Sequence, residues 1–192
     1  GLDDARREFI ANASHELRTP IFALSGSLEL LADEEMDAGT QREFIESMQG
    51  QLQRLARLAS ELLDLSRLDA GKLRVDVAPF DLGIAVKEVV EEFRPAALLS
   101  GHRLTGVTGG CIVLADGERV LQIVRGLVEN ALRHTPSGTA ITLGVVASSN
   151  AAGVYVEDDG PGIPVHHQER VFDRFYRAEG ARASGSGLGL AI

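Results

Sequence analysis

Apolar residues recur at Ile10, Ala13, Leu17, Ile21, Leu24, Leu28 and Leu31, in steps of three and four, with no glycine from Leu2 until Gly26. Such a stripe marks a long amphipathic helix of coiled-coil character. A second stripe, Met48, Leu52, Leu55, Ala59, Leu62, Leu65 and Leu68, ends at Ala70-Gly71, where glycine supplies a helix stop. The residues between Leu31 and Gln41 form the connection of a helical hairpin. Two amphipathic helices cannot enclose a core alone, so two chains are expected to pair their hairpins into a dimeric four-helix bundle, making a homodimer. Packing of the hairpin on the rest of its own chain is the alternative.

Beyond Gly71 the texture changes to β-rich runs over Lys72 to Val77, Ile112 to Ala115, Ala140 to Val146 and Gly153 to Glu157. Helical runs over Leu82 to Leu99 and Gly117 to His134 alternate with them, the pattern of an α/β sandwich. The expected fold class is α+β, with a hairpin over 1–71 followed by an α/β sandwich domain over 72–192. Twenty-eight acidic against 19 basic residues leave a net charge of -9, which argues against nucleic acid as a partner. The single cysteine, Cys111, adjoins the apolar run Ile112-Val113-Leu114 and reads as a small packing residue. No apolar stretch approaches the roughly 20 residues that span a bilayer. The chain starts and stops inside helical patterns and reads as an excerpt, so membrane attachment is expected only through segments outside it.

His15 lies far round the first helix from the apolar stripe, at about 100° per residue, and should face solvent. A lone surface histidine usually carries no function, but Glu16 adjoins this one, Thr19 lies one turn on, and Pro20 follows. Proline should loosen or bend the helix there. The run Phe9-Ile10-Ala11-Asn12-Ala13-Ser14-His15-Glu16-Leu17-Arg18-Thr19-Pro20 closely resembles the H-box of sensor histidine kinases. The resemblance implies that His15 accepts the phosphoryl group, that Glu16 holds or removes the proton on its other ring nitrogen, and that Thr19 places a water in a reverse, phosphatase reaction. Arg18 reads as a phosphate contact or as a solvated charge.

Three later segments read as one pocket. Ile123, Leu127, Asn130 and His134 share a helix face, which sets Asn130 as a polar residue on an apolar stripe, its amide oxygen suited to Mg²⁺. Leu127-Val128-Glu129-Asn130-Ala131-Leu132-Arg133-His134-Thr135-Pro136 resembles the N-box of the same kinases and of the ATPase superfamily shared with gyrase, Hsp90 and MutL. That likeness implies Asn130 as the Mg²⁺ ligand, with Arg133 and His134 beside the nucleotide. In Val154-Tyr155-Val156-Glu157-Asp158-Asp159-Gly160-Pro161-Gly162, alternation turns Asp158 inward with Val154 and Val156. An adenine amine suits that carboxylate, and Gly160 and Gly162 let backbone approach the base. D-x-G-x-G alone can be a mere tight turn, but here it resembles the family's G1 box in sequence and order. Gly185, Gly187 and Gly189 precede a helical start, which suits phosphate binding by backbone N–H groups. With Val171 to Arg177 before them they resemble the F-box, lid and G2 box, and Arg177 is the expected γ-phosphate contact.

The resemblance implies ATP and Mg²⁺ as cofactors, transfer from ATP to His15, and onward transfer to an aspartate of a response regulator receiver domain. It also implies a cytoplasmic location, as a fragment of an inner-membrane-anchored bacterial sensor kinase. The chain departs from the family in carrying Gly126 where a second asparagine is usual, in a short lid from Ala178 to Ser184, and in stopping at Ile192. Two rival readings are a superfamily ATPase, which leaves the H-box unexplained, and a dimerising pseudokinase, which Gly126 favours.

Overall fold

The computed structural model describes residues 2–32, 36–107, 109–174, 176 and 190, and the chain divides into two compact units, Gly1–Leu73 and Arg74–Ala191. The first unit is a hairpin of α1 (Leu2–Leu31) packed on α2 (Ala38–Asp69). Helix α2 starts ten residues before the first residue of its apolar stripe, Met48. Asp37 explains the early start: its carboxylate accepts from the backbone N–H of Gly39 at 2.9 Å and of Thr40 at 3.1 Å, satisfying donors that a helix end leaves open. The Thr40 hydroxyl bond, followed by the two backbone bonds, holds the Asp37 carboxyl below the usual carboxylate range. The cap is therefore complete at neutral pH and is lost only as pH falls through that lowered value.

Ala13, Leu58 and Leu65 are buried between the helices. Ile21, Leu28, Leu52 and Leu68, all on the heptad stripes, stay 47%, 56%, 59% and 46% exposed, so a single hairpin leaves half of its seam open. Helix α1 continues through Pro20 without a break. The proline ring is fully buried, and that packing holds the helix across the missing backbone hydrogen bond.

The second unit runs β1 (Ala78–Asp81), α3 (Leu82–Leu99), β2 (Arg103–Val107), β3 (Ile112–Ala115), α4 (Gly117–His134), β4 (Ala140–Ala147), β5 (Ala152–Asp158) and α5 (Val165–Gln168). Strands β1 and β3 pair antiparallel, while β2, β4 and β5 form a second sheet in that order, β2 parallel and β5 antiparallel to β4. The core is a layer of helix against sheet: Val86, Val89 and Val90 of α3 and Leu121, Val124, Val128 and Ala131 of α4 close over Leu104, Ile141 and Leu143. The first strand is Ala78–Asp81 and not the expected Lys72 to Val77, because only the later residues find a partner, with Ala78 opposite Ala115. Asp116 ties that incoming segment down. One of its carboxylate oxygens caps α4 through the N–H of Arg119 at 3.2 Å, and the other accepts the N–H of Asp76 at 3.0 Å.

Candidate functional site

On α1 the side chains alternate between hairpin and solvent as a 3.6-residue repeat dictates. Ala13 and Pro20 are buried, Glu16 and Leu17 are half-buried, and His15, Arg18 and Thr19 are exposed. The His15 imidazole is therefore open to a phosphoryl donor. Glu16 points elsewhere: its carboxylate lies 3.5 Å from the Arg54 guanidinium on α2, with both side chains about one-quarter exposed. Thr19 turns its hydroxyl back onto the His15 carbonyl at 3.4 Å, the common resting place of a helical threonine. In this arrangement neither Glu16 nor Thr19 is committed to the imidazole, and each must rotate to act there.

In the second unit, Asn130 shares the expected face of α4 with Ile123 and Leu127, but that face is not the one that packs into the core. The buried face of α4 is Leu121, Val124, Val128 and Ala131, and Asn130, half-buried, lies on the flank with Leu127 and the exposed Ile123. A helix lying on a sheet buries only one face, so this flank is free to line a ligand site. Arg133 and His134 are exposed in the last turn, where positive charge also complements the helix dipole.

Strand β5 brings Asp158 opposite the fully buried Ile141 of β4. Directly opposed residues of an antiparallel pair share a face, so Asp158 has the predicted side of the sheet. Its carboxylate is nevertheless exposed, because it stands past the end of the core. One oxygen accepts the N–H of Gly160 at 3.0 Å. Asp159 accepts the N–H of Ala140 at 2.6 Å and so pins the turn to the start of β4. A Cβ at Gly160 would meet Thr135 Cγ2 at 2.7 Å and the Asp158 carboxylate at 2.8 Å, so a side chain there cannot be accommodated without movement. The N-box end and the G1 turn thus touch through this glycine, and Gly162 follows with φ +71°, a left-handed conformation that favours glycine. Arg177, Gly185, Gly187 and Gly189 lie outside the described residues.

Three groups with polar roles were not foreseen: Arg54, Asp159 and the buried His102. Each has a partner from 19 to 38 positions away in sequence. An apolar cavity of about 300 Å³ also opens in this unit, lined by residues such as Leu82, Val113, Leu127 and Val154. It includes neither Asn130 nor Asp158. The donor set on the α4 flank fits Mg²⁺, since Asn130 offers one neutral amide oxygen and Mg²⁺ takes few protein ligands beside phosphate oxygens and water.

Comparison with known proteins agrees with this layout. Residues 5–71 match the His Kinase A (phospho-acceptor) domain, and residues 115–192 match the histidine kinase-, DNA gyrase B- and HSP90-like ATPase. The sensor-like histidine kinase SenX3 of Mycolicibacterium smegmatis is 37% identical over 195 residues, covering 100% of this chain and 51% of the relative. The chain thus spans about half the length of that relative. Among solved structures, the Acinetobacter baumannii histidine kinase AdeS superposes with a TM-score of 0.72 at 27% identity, over 92% of this chain and 82% of that one. Full-length ShkA in complex with AMPPNP gives 0.65 at 27% identity, over 96% and 39%. With a phospho-acceptor hairpin leading into an ATPase domain, the chain belongs to the sensor histidine kinases.

Proposed function

We propose that this chain is the catalytic core of a protein-histidine kinase, with a dimerisation and phosphotransfer domain over 1–71 and an ATP-binding domain over 72–192. It transfers the γ-phosphoryl group of ATP to His15 and from there to an aspartate of a response regulator receiver domain. The observation that carries the reading is the exposed imidazole of His15 within a complete H-box, on the same chain as an N-box and G1 turn held in contact at Gly160. A radiolabelling experiment tests it: Mg-ATP should leave an acid-labile, alkali-stable phosphate on the chain, the stability pattern of a phosphoramidate. Label that survives acid would refute the reading.

The unprotonated ring nitrogen of His15 attacks the γ-phosphorus in line with the leaving oxygen, the P–O bond to the β-phosphate breaks, and ADP departs. The other ring nitrogen sheds its proton to Glu16, which must first swing away from Arg54. Asp158 receives the adenine amine, Gly160 and Gly162 let the backbone close on the base, and Arg133 and His134 flank the nucleotide. Arg177 reaches the γ-phosphate, while Gly185, Gly187 and Gly189 offer backbone N–H groups to the phosphates. When bound through Asn130, Mg²⁺ neutralises phosphate charge. Because donor and acceptor belong to different units, the segment around Gly71, whose φ is +62°, has to let them meet.

The half-exposed seam residues Ile21, Leu28, Leu52 and Leu68 support a homodimer in which a second hairpin covers them. No helix among the described residues is long and apolar enough to cross a membrane. We place the domain in the cytoplasm, attached to the inner membrane of a bacterium through other segments of its parent.

Two residues separate the activities of this core. Thr19→Ala removes a hydroxyl that can position water but takes no part in the attack on ATP. Dephosphorylation of a phosphorylated regulator should slow severalfold while labelling of His15 stays near normal, as paired time courses would show. Gly126 is half-buried one turn before Asn130 on α4. Gly126→Ala should stabilise the chain by about 1 kcal/mol through helix propensity alone. Gly126→Asn should also tighten Mg-ATP or speed phosphorylation. Melting curves and initial rates for both variants decide whether the position wants a ligand or wants no side chain.

A further inference from the structure

His102 is only 6% exposed, one of two buried polar residues among those described, and it belongs to none of the motifs. Its neighbourhood is tightly bonded. Helix α3 ends at Leu99 with Ser100 as its cap, Gly101 follows with φ +75°, and the backbone N–H of His102 returns to the Ala97 carbonyl at 2.8 Å, a Schellman-type stop. The turn after α4 is locked onto this stop, since the N–H of Gly138 donates to the Gly101 carbonyl at 2.8 Å and that of Arg103 to the Thr139 carbonyl at 3.0 Å. The imidazole bridges the two turns, with Nδ1 2.9 Å from Ser100 Oγ and Nε2 3.0 Å from Thr135 Oγ1.

The tautomer follows from proton counting. Thr135 commits its hydroxyl proton to the Ala131 carbonyl at 2.7 Å, and the Thr135 carbonyl, 3.3 Å from Nε2, can only accept. Nε2 therefore carries the hydrogen and donates to Thr135. In the neutral ring Nδ1 is then the acceptor, and the Ser100 hydroxyl, which also lies 2.8 Å from the Ala96 carbonyl, has to turn from that carbonyl to donate to it. Held by both Ala131 and His102, the Thr135 hydroxyl has one staggered position, and that choice dictates where the methyl group goes. The methyl goes to Gly160, whose Cβ position it overlaps at 2.7 Å.

We infer that His102 is a positioning residue for the nucleotide site: through Thr135 it sets the spacing between the Asn130 helix and the Asp158–Gly160 turn. The inference rests on the ATP-binding reading of those two elements. One nucleotide has to reach Asn130 with its phosphates and Asp158 with its base, so a loosened contact between them weakens binding without touching either ligand. His102 contacts neither the base nor the phosphates in this account, and acts only through Thr135.

Calorimetry of the 192-residue chain with Mg²⁺ and a non-hydrolysable ATP analogue tests the role, each variant being checked for a folded melting transition. His102→Leu should raise the Kd about fivefold or more, the order expected when a buried hydrogen bond loses its donor. His102→Gln, whose amide N–H can replace Nε2–H, should restore most of the affinity. Thr135→Val keeps a group of the same shape but has no acceptor, and should weaken binding like His102→Leu. The double variant should be no weaker than either single one, because both remove the same contact. Wild-type affinity in Thr135→Val or in folded His102→Leu would overturn the inference, as would a glutamine variant as weak as the leucine one. Absence of binding by the unsubstituted chain would instead bring down the ATP reading itself, and the role of His102 with it.

Discussion

Replacement of His15 by glutamine is expected to reduce phosphate incorporation from Mg-ATP to background while leaving nucleotide affinity and the melting temperature near those of the unsubstituted chain. Glutamine carries an amide nitrogen whose lone pair is delocalised, so it keeps the polarity of the side chain and loses the nucleophile. The position tolerates the change structurally, since His15 is exposed and the neighbours that hold the helix, Ala13 and Pro20, are buried on the other side. Nucleotide binding belongs to the second unit, which has its own core of α3, α4 and β4 residues. Residual acid-labile label on the glutamine variant would move the acceptor to another histidine. His166 and His167 are then the first to examine, because both lie on α5, just after the G1 segment.

Glu16→Gln gives the companion measurement. If the carboxylate takes the ring proton after leaving Arg54, the amide should slow labelling without raising the KM for ATP. Glu16 and Arg54 lie 38 positions apart in sequence, and that separation shows the limit of reading a chain in one dimension. Heptad stripes, a glycine stop and four motifs in order were enough for the hairpin, the sandwich and the family, because each depends on near neighbours. The bounds of α3 and α4 were legible for the same reason: apolar periodicity fills them, and Asp81 and Asp116 cap them.

What escaped was set by distant partners. β2 was missed because only Leu104 of its five residues is buried and Gly106 interrupts it. It is a strand only by virtue of lying parallel to β4. Lys72 to Val77 alternates as well as a real strand, yet it has no ladder to join. The side of the sheet that carries Asp158 could be derived from alternation, but its exposure could not, because alternation says nothing of where the core ends. His102 gave no signal at all, for its function as a bridge exists only once the turn after α3 meets the turn after α4.

The second large effect is expected at the turn that follows β5. Asp158→Asn keeps the size of the side chain and the oxygen that can accept the Gly160 N–H, seen at 3.0 Å, so the turn should survive. What disappears is the negative charge offered to the adenine amine. A hydrogen bond to a charged group contributes about 1.5–3 kcal/mol, so the Kd for a non-hydrolysable ATP analogue should rise about ten- to 100-fold. Gly160→Val attacks the same site by a different physical route. It drives a branched side chain into Thr135 and the Asp158 carboxylate, where even a Cβ would come within 2.7 and 2.8 Å. The turn must then shift away from α4, and both nucleotide affinity and the melting temperature of the second unit should fall. The asparagine variant should lose affinity at an unchanged melting temperature. That split identifies the carboxylate as a ligand for the base. Equal affinity for nucleotide in Asp158→Asn and the unsubstituted chain would reduce Asp158 to a turn former, with recognition of the base left to the backbone around Gly160 and Gly162.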